Sequence, residues 1–379
     1  MTSLAPRERV LVAMSGGVDS SVAAALLVEE GCEVIGATML MWPKGAEPPA
    51  GACCSLSAVE DARRVAAELD IPHYVLNVQD VFARYVIQDF VGEYIRGRTP
   101  NPCVRCNQFV KFDSLLERAR SLGAERIATG HYARIGYDED RRRWLLLRGL
   151  DESKDQSYAL CRLTQEQMER TLFPLGYMMK RETRRTAAEL GLPVAEKPES
   201  QEVCFVPDRN YPAFLRKLAP ELARPGPVVD VSGNVLGEHR GIAFYTVGQR
   251  KRLGISSRAP RYVVRIDRQR NAIVVGGDQD LYARRLVAQD MNVISVEKLP
   301  AVLAVTAKIR YNARDSAAVV RPLVGNAAEV VFEQPQRAIT PGQAVVLYQG
   351  DVVVGGGTIA DLEQAAEAES DEYELRSEK

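Results

Sequence analysis

Residues 10–30 read VLVAMSGGVDSSVAAALLVEE: a short apolar run, Val10 to Met14, meets a Ser-Gly-Gly turn and passes into an Ala- and Leu-rich helix, Ser20 to Glu30. A strand that turns on two glycines straight into a helix reads as the first half of a βαβ unit. Working outward, Val34 to Leu40 predicts a second strand. Ser57 and Glu60 form a capping box ahead of a helix with apolar positions 59, 62, 65, 66 and 69. Tyr74 to Val78 and Arg126 to Thr129 predict further strands, with helical patterns near 80–96 and 108–122. Alternation of this kind predicts an α/β domain built on a parallel sheet with helices on both faces, over residues 1–206.

The pattern changes from about Pro207. PGPVVDVSGNVLGEH is two short strands around a Ser-Gly-Asn turn, and YVVRIDRQRNAIVVGG repeats the device, which predicts a small β-rich linking domain over 207–280. Beyond Leu281, short β-branched runs (Leu303 to Arg310, Glu329 to Phe332, Ala344 to Tyr348, Val352 to Val354) predict an all-β, barrel-like domain over 281–362. Residues 361–379 carry eight acids and two bases, so 363–379 reads as a disordered acidic tail and the body of the chain is left mildly basic, near +5 against a whole-chain −1. A basic body suits a polyanionic partner.

The amino terminus MTSLAPRERV has no apolar core of a signal peptide, and the run Val22 to Val28 is too short to span a bilayer. Seven cysteines, an odd number, argue against a disulfide framework. The expectation is a cytoplasmic protein without a membrane partner.

Ser15-Gly16-Gly17-Val18-Asp19-Ser20 has the physical make-up of a phosphate cradle. Two glycines let bare N–H groups approach an oxyanion, and the helix behind them points its positive end at the same place. Ser15 and Ser20 add hydroxyls, and Asp19 is a candidate magnesium ligand. No Gly-Lys-Ser/Thr follows, which excludes the P-loop of kinases and GTPases. The motif resembles that of the N-type ATP pyrophosphatases, the PP-loop family. That resemblance implies cleavage of ATP to AMP and pyrophosphate, with the adenylate placed on a carbonyl oxygen.

Gly97-Arg98-Thr99-Pro100-Asn101-Pro102-Cys103-Val104-Arg105-Cys106-Asn107 holds a C-x-x-C between prolines, which predicts that both cysteines sit on a loop. Arg98 and Arg105 are placed to lower thiol pKa values. A zinc knuckle would require more ligands than the scattered His73, His131 and His239 offer, whereas an activated carbonyl requires an incoming nucleophile. Cys32 and Cys161 read as packing residues, and Cys53 and Cys54 have no assigned role.

The ordered set SGGVDSSVAA, RTPNPCVRCN, Thr129-Gly130-His131-Tyr132, Lys154-Asp155-Gln156-Ser157-Tyr158, Cys204-Phe205, Gly248-Gln249-Arg250 and Thr340-Pro341-Gly342-Gln343 resembles the tRNA-specific 2-thiouridylases over nearly the whole chain. The resemblance implies adenylation of the 2-carbonyl of a wobble uridine, in tRNAs for Lys, Glu and Gln. Sulfur would then arrive from a persulfide on Cys204, loaded by a cysteine desulfurase or a sulfur-relay protein. Cys106 would resolve the persulfide into a Cys106–Cys204 disulfide. It further implies that Ala13, Met14, Ser15, Gly16, Gly17, Val18, Asp19, Ser20, Met39 and Gly130 contact ATP with Mg2+. Asn101, Pro102 and Cys103 would face the target base, and His131, Lys154, Asp155, Gln156, Arg310, Tyr311 and Gln343 would touch tRNA.

From the residues alone, His131 reads equally as a structural histidine and Lys154-Asp155-Gln156 as a solvated turn. The arginines at 141–143 read as an exposed hairpin face, and Arg250-Lys251-Arg252 as a backbone-contacting loop. Many family members carry aspartate at the position of Cys103. With a thiol there, Cys103, Cys106 and Cys204 become an alternative 4Fe–4S ligand set. Two other function classes compete: a PP-loop ligase using ammonia, and a zinc-bearing RNA-binding protein without catalysis.

Overall fold

A computed structural model describes residues 7–42, 56–198, 204–206 and 210–361. Cys53, Cys54 and the acidic tail lie outside the described residues.

The first part alternates strand and helix: β1 (Arg9–Ala13), α1 (Val18–Glu29), β2 (Glu33–Leu40), α2 (Leu56–Glu68) and β3 (His73–Asn77). Then come α3 (Gln79–Phe82), α4 (Gln88–Ile95), α5 (Pro102–Arg105), α6 (Leu115–Ser121) and β4 (Arg126–Thr129). A hairpin, β5 (Ala133–Asp138) and β6 (Arg143–Arg148), precedes α7 (Gln165–Glu169), the two-residue β7 (Thr171–Leu172), α8 (Lys180–Glu189) and α9 (Tyr211–Leu218). The sheet is parallel, in the order β3-β2-β1-β4-β7. β1 shows why it lies at the centre. Its side chains alternate between faces, Leu11 entering one hydrophobic cluster and Val10 and Val12 the other, and all three are fully buried.

The helical patterns differ from expectation in one consequential respect. The helix predicted to begin near 108 begins at Pro102 and runs through a π-helical segment, Cys106–Ser114, into α6, so Cys103 and Cys106 are helical and not on a loop. Proline fits the first helical position, where its missing N–H has no partner to lose, and Asn101 supplies the cap by accepting from Val104 N. Ser57 lies one residue inside α2, which starts at Leu56 among the described residues.

The second part is a four-stranded sheet ordered β10-β11-β8-β9, from β8 (Gly226–Asp230), β9 (Val235–His239), β10 (Tyr262–Asp267) and β11 (Ala272–Gly276). Asp230 organises the first turn by accepting from Ser232 N and Asn234 N. The third part comprises β12 (Tyr282–Val293), β13 (Leu303–Lys308), β14 (Ser316–Leu323), β15 (Ala327–Arg337), β16 (Ala344–Gln349) and β17 (Val352–Ile359). Their order β12-β15-β14-β13-β16-β17 closes through a β12–β17 pairing into an antiparallel barrel. The β5–β6 hairpin leaves the first part and joins this sheet through β6–β17, so the first part and the barrel share hydrogen bonds. No helix among the described residues is long and apolar enough to cross a membrane.

Candidate active site

β1 is flanked by β2 on one side and β4 on the other, so the chain changes direction across the sheet at this point, where α/β folds open a ligand crevice at the carboxyl ends of the strands. The loop Met14–Gly17 fills that place. Gly16 adopts φ +67°, and a Cβ there would lie 2.2 Å from the Ala58 carbonyl oxygen. Gly130, just past β4, packs so closely that a Cβ would lie 2.7 Å from Ser20 N. Only glycine satisfies either approach. Ser15 N donates to Ser20 Oγ at 3.1 Å, and Thr38 Oγ1 donates to the Met14 carbonyl at 2.7 Å, which fixes the loop at both ends. Gly17 begins α1 without a side-chain cap, and the first backbone N–H groups of a 12-residue helix point toward the crevice.

Three residues surround this loop: Lys180 and Lys197, which no motif marks, and Tyr132, which the motif Thr129-Gly130-His131-Tyr132 contains without a role. Lys180 Nζ donates to both carboxylate oxygens of Asp19, at 2.6 and 2.8 Å. Lys197 Nζ donates to the Gly16 carbonyl at 2.8 Å and to Asp61 at 2.6 Å. The Tyr132 phenol donates to Asp19 Oδ1 at 2.8 Å and lies 2.9 Å from the Thr183 hydroxyl. Asp19 is therefore paired with an ammonium in this geometry.

Cys103 is exposed at the start of α5, Cys106 is buried and Cys204 half-buried. Cys106 belongs to a contiguous apolar cluster that includes Met39 from the end of β2, with Ala13 from the end of β1 and Cys204 packed against it. Phe205 anchors Cys204. Its ring is 2% exposed and meets Phe82 and Phe90 edge-on, with centroids 5.6 and 5.2 Å away. Both proposed thiols thus share one apolar cluster with Ala13, which leads into the phosphate loop, while Met14 of the loop and Val18, which begins α1, pack into the other cluster. Arg98 and Arg105, expected to act on the thiols, pair with Glu93 at 2.8 Å and Asp89 at 3.0 Å.

Family models match three consecutive regions: a tRNA methyl transferase HUP domain over residues 8–208, a tRNA methyl transferase PRC-barrel domain over 212–277, and an aminomethyltransferase beta-barrel domain over 283–359. A tRNA-specific 2-thiouridylase MnmA of Heliobacterium modesticaldum is 57% identical over 93% of this chain and 92% of its own length. The chain belongs to the tRNA-specific 2-thiouridylase family. The MnmA of Moorella thermoacetica is 56% identical over 93% of this chain and 100% of its own. A solved 4-thiouridine synthetase–RNA complex with bound ATP aligns at 18% identity with a TM-score of 0.35, over 56% of this chain and 51% of that one.

In this member of the 2-thiouridylase family, several residues expected to touch tRNA face inward. His131 is 7% exposed, packs between Phe112 and Phe173, and its Nδ1 lies 2.7 Å from Thr129 Oγ1. Burial, helped by the charge of Lys111, holds it well below the ordinary histidine range. The Asp155 carboxylate is buried and accepts from Gly149 N, Ser157 N and Ser157 Oγ at 2.8–3.0 Å. Gln156 exchanges hydrogen bonds with the Tyr132 backbone, and Gln343 donates to the Thr99 and Pro100 carbonyls. Each of these four side chains has polar partners within the fold, and the burial of Asp155 departs from the solvated turn that the residues alone suggest.

Arg310 donates to the Arg337 carbonyl. Lys154 is partly exposed, and Tyr311 is 42% exposed. Burial raises the Tyr311 phenol, with Asp155 and Cys103 adding to the shift, and its hydroxyl donates to the Asp155 carbonyl at 3.3 Å. Arg250, Lys251 and Arg252 form an exposed basic loop, as expected. The arginines at 141–143 lie on the β5–β6 hairpin, although Arg143 donates to the Ile294 carbonyl.

Among the described residues, no group of three or more His, Cys, Asp or Glu side chains is gathered closely enough to hold a metal ion. Cys103, Cys106 and Cys204 do not form such a set, so the arrangement does not fit a 4Fe–4S cluster.

Proposed function

We propose that this protein thiolates tRNA, replacing the 2-oxygen of a wobble uridine with sulfur at the expense of ATP. The observation that carries the reading is that one apolar cluster holds Cys106 with Met39 at the end of β2, and that Cys204 and Ala13, the last residue of β1 before the glycine-built phosphate loop, pack against it. The uridine 2-oxygen attacks the α-phosphorus of ATP and pyrophosphate leaves. Backbone N–H groups of residues 15–20 and the start of α1 receive the phosphates. Magnesium accompanying the nucleotide supplies further neutralisation of phosphate charge.

The terminal sulfur of a Cys204 persulfide then attacks C2, and AMP departs with the former 2-oxygen. The Cys106 thiolate attacks Sγ of Cys204, breaking its bond to the transferred sulfur. That sulfur stays on C2 as the thiocarbonyl, and a Cys106–Cys204 disulfide remains for an external thiol to reduce. A cysteine desulfurase or a relay protein loads the persulfide. Tyr311, Lys154 and the loop Arg250-Lys251-Arg252 form the RNA-facing side. Asn101, Pro102 and Cys103 line the approach of the base.

The test incubates the protein with ATP, magnesium, unmodified tRNA for Lys, Glu or Gln, and a cysteine desulfurase with cysteine. AMP and 2-thiouridine are expected in equal amounts. Pyrophosphate release that needs no RNA, with ammonia incorporated into a small acid, would assign the chain to the ligase class instead.

A further inference from the structure

The segment Gly97–Asn101 leads into the cysteine helix, and all three parts of the fold grip it. From the barrel, Gln343 Nε2 donates to two successive carbonyls, Thr99 at 3.0 Å and Pro100 at 2.9 Å. The Pro341 carbonyl accepts from Thr99 N at 2.9 Å. One residue beyond Gln343, the Ala344 carbonyl accepts from the Tyr158 phenol at 2.8 Å, and that phenol is hydrogen-bonded to the Asn101 side chain. The barrel comes this close because Gly342 has no side chain: a Cβ there would lie 2.9 Å from the Thr99 carbonyl oxygen. From the second part, the Thr246 hydroxyl lies 3.2 Å from that of Thr99, and a Cβ on Gly97 would lie 2.8 Å from the Ile266 side chain.

Asn101 in turn caps α5, Pro102 starts it, Cys103 follows and Cys106 closes its last turn. Whatever fixes the carbonyls of Thr99 and Pro100 therefore fixes where the helix begins and where its thiols lie. We propose that Gln343 is a positioning residue of the thiol site, acting through Thr99 and Pro100. Its amide has both N–H donors directed at buried-side carbonyls of the loop. Removing the amide would leave two acceptors without their donor at the start of the helix that carries the thiols. The barrel then has two tasks. It presents Tyr311 to the RNA side, and it sets the register of the helix that carries Cys103 and Cys106. The thiolation reading enters only in what the positioned thiols are for.

The experiment compares wild type with Gln343→Met, which keeps length and removes both donors, and Gln343→Lys, which keeps a donor. In the protein alone, without ATP or tRNA, the rate of iodoacetamide labelling is followed by peptide mass spectrometry at Cys106, with the exposed Cys103 as internal reference. Gln343→Met should label Cys106 on the order of tenfold faster, and Gln343→Lys at close to the wild-type rate. With substrates, Gln343→Met should lower kcat for thiolation about 10- to 100-fold. Unchanged labelling of Cys106 in Gln343→Met overturns the proposal. So does a weakened tRNA Kd with normal labelling, which would mean direct RNA contact. If Gln343→Met does not fold, Gln343→Lys decides alone: protection of Cys106 supports the proposal and loss of protection overturns it. Faster labelling in a protein that thiolates no tRNA would uphold the positioning role and refute the function assigned to the site.

Discussion

Lys180 Nζ reaches both carboxylate oxygens of Asp19, across 161 positions of sequence, and the ammonium is the more buried partner, with 11% side-chain exposure against 33%. The pair fixes the acid of the phosphate loop against α8, on the flank where the Tyr132 phenol also donates to it. An anion at the first turn of α1 would otherwise compete with an incoming phosphate for the same positive helix end. Paired with Lys180, it becomes a structural strut of the loop.

That pairing predicts energetic coupling. Asp19→Asn and Lys180→Met should each destabilise the protein and slow pyrophosphate release, and the double variant should lose less than the sum, with a coupling of about 1–3 kcal/mol. Urea denaturation of the four proteins measures it. Strict additivity would mean that the two groups do not act as a pair.

Asp155 separates a packing role from a ligand role. Its buried carboxylate satisfies Gly149 N, Ser157 N and Ser157 Oγ, and Arg148 Nη1 stands 3.9 Å away. Asp155→Ala strands those donors and should cost about 2–4 kcal/mol of stability, while Asp155→Asn, which keeps one acceptor oxygen, should cost less. At a temperature where the variants are folded, tRNA affinity should stay within about twofold of wild type. An affinity loss without a stability loss would restore Asp155 as an RNA contact.

The phosphate loop was legible because its chemistry is local: two glycines, two serines and a helix start occupy six consecutive residues, and backbone N–H groups need no distant partner. The closed barrel was legible as a class from its alternating runs, yet β12 and β14 went unnamed. What escaped depended on long-range placement. Nothing near Lys180 or Lys197 in sequence announces that each reaches the loop. The β5–β6 hairpin carries no mark that it will extend the barrel sheet. Pro102 was read as a helix breaker because proline usually is one, and only its place directly after the Asn101 cap makes it a helix starter. The family-like stretches around His131, Asp155 and Gln343 located the right neighbourhood of the fold. Motif matching cannot tell a side chain that meets a ligand from one that holds the wall behind it.

Histidine titration gives a pH signature. His73, His131 and His239 are each held below the ordinary histidine value near 6.5, with burial the leading cause in all three. The native state therefore releases protons that the unfolded chain still binds below about 6.5, so stability is full above that pH and falls as pH drops through and below it. The slope can reach about 1.4 kcal/mol per pH unit for each histidine that stays neutral in the fold. Asp151 and Asp315 are shifted below 3.8 and act only in a more acid window. Urea titrations at pH 7.5 and 5.5 should show the loss, and His131→Gln should reduce the difference between the two pH values. An undiminished pH dependence in that variant would show that His131 does not stay neutral in the native state.

The cysteines predict a division of labour that variants can separate. Cys204→Ser retains the phosphate loop and the Phe205 anchor, so tRNA-dependent pyrophosphate release should continue while 2-thiouridine formation falls to background. Cys106→Ser should permit persulfide loading on Cys204 but block resolution, leaving tRNA joined to Cys204 through a disulfide that a reductant releases. Cys161→Ser is the control. That thiol is fully buried and pushed up to about 11 by burial, far from the range of a reactive thiolate, so its loss should alter stability and not turnover. Nucleoside mass spectrometry together with pyrophosphate assay of the three variants tests the scheme. Thiolation by Cys204→Ser at the wild-type rate would remove Cys204 as the sulfur carrier and leave the exposed Cys103 as the next thiol to examine.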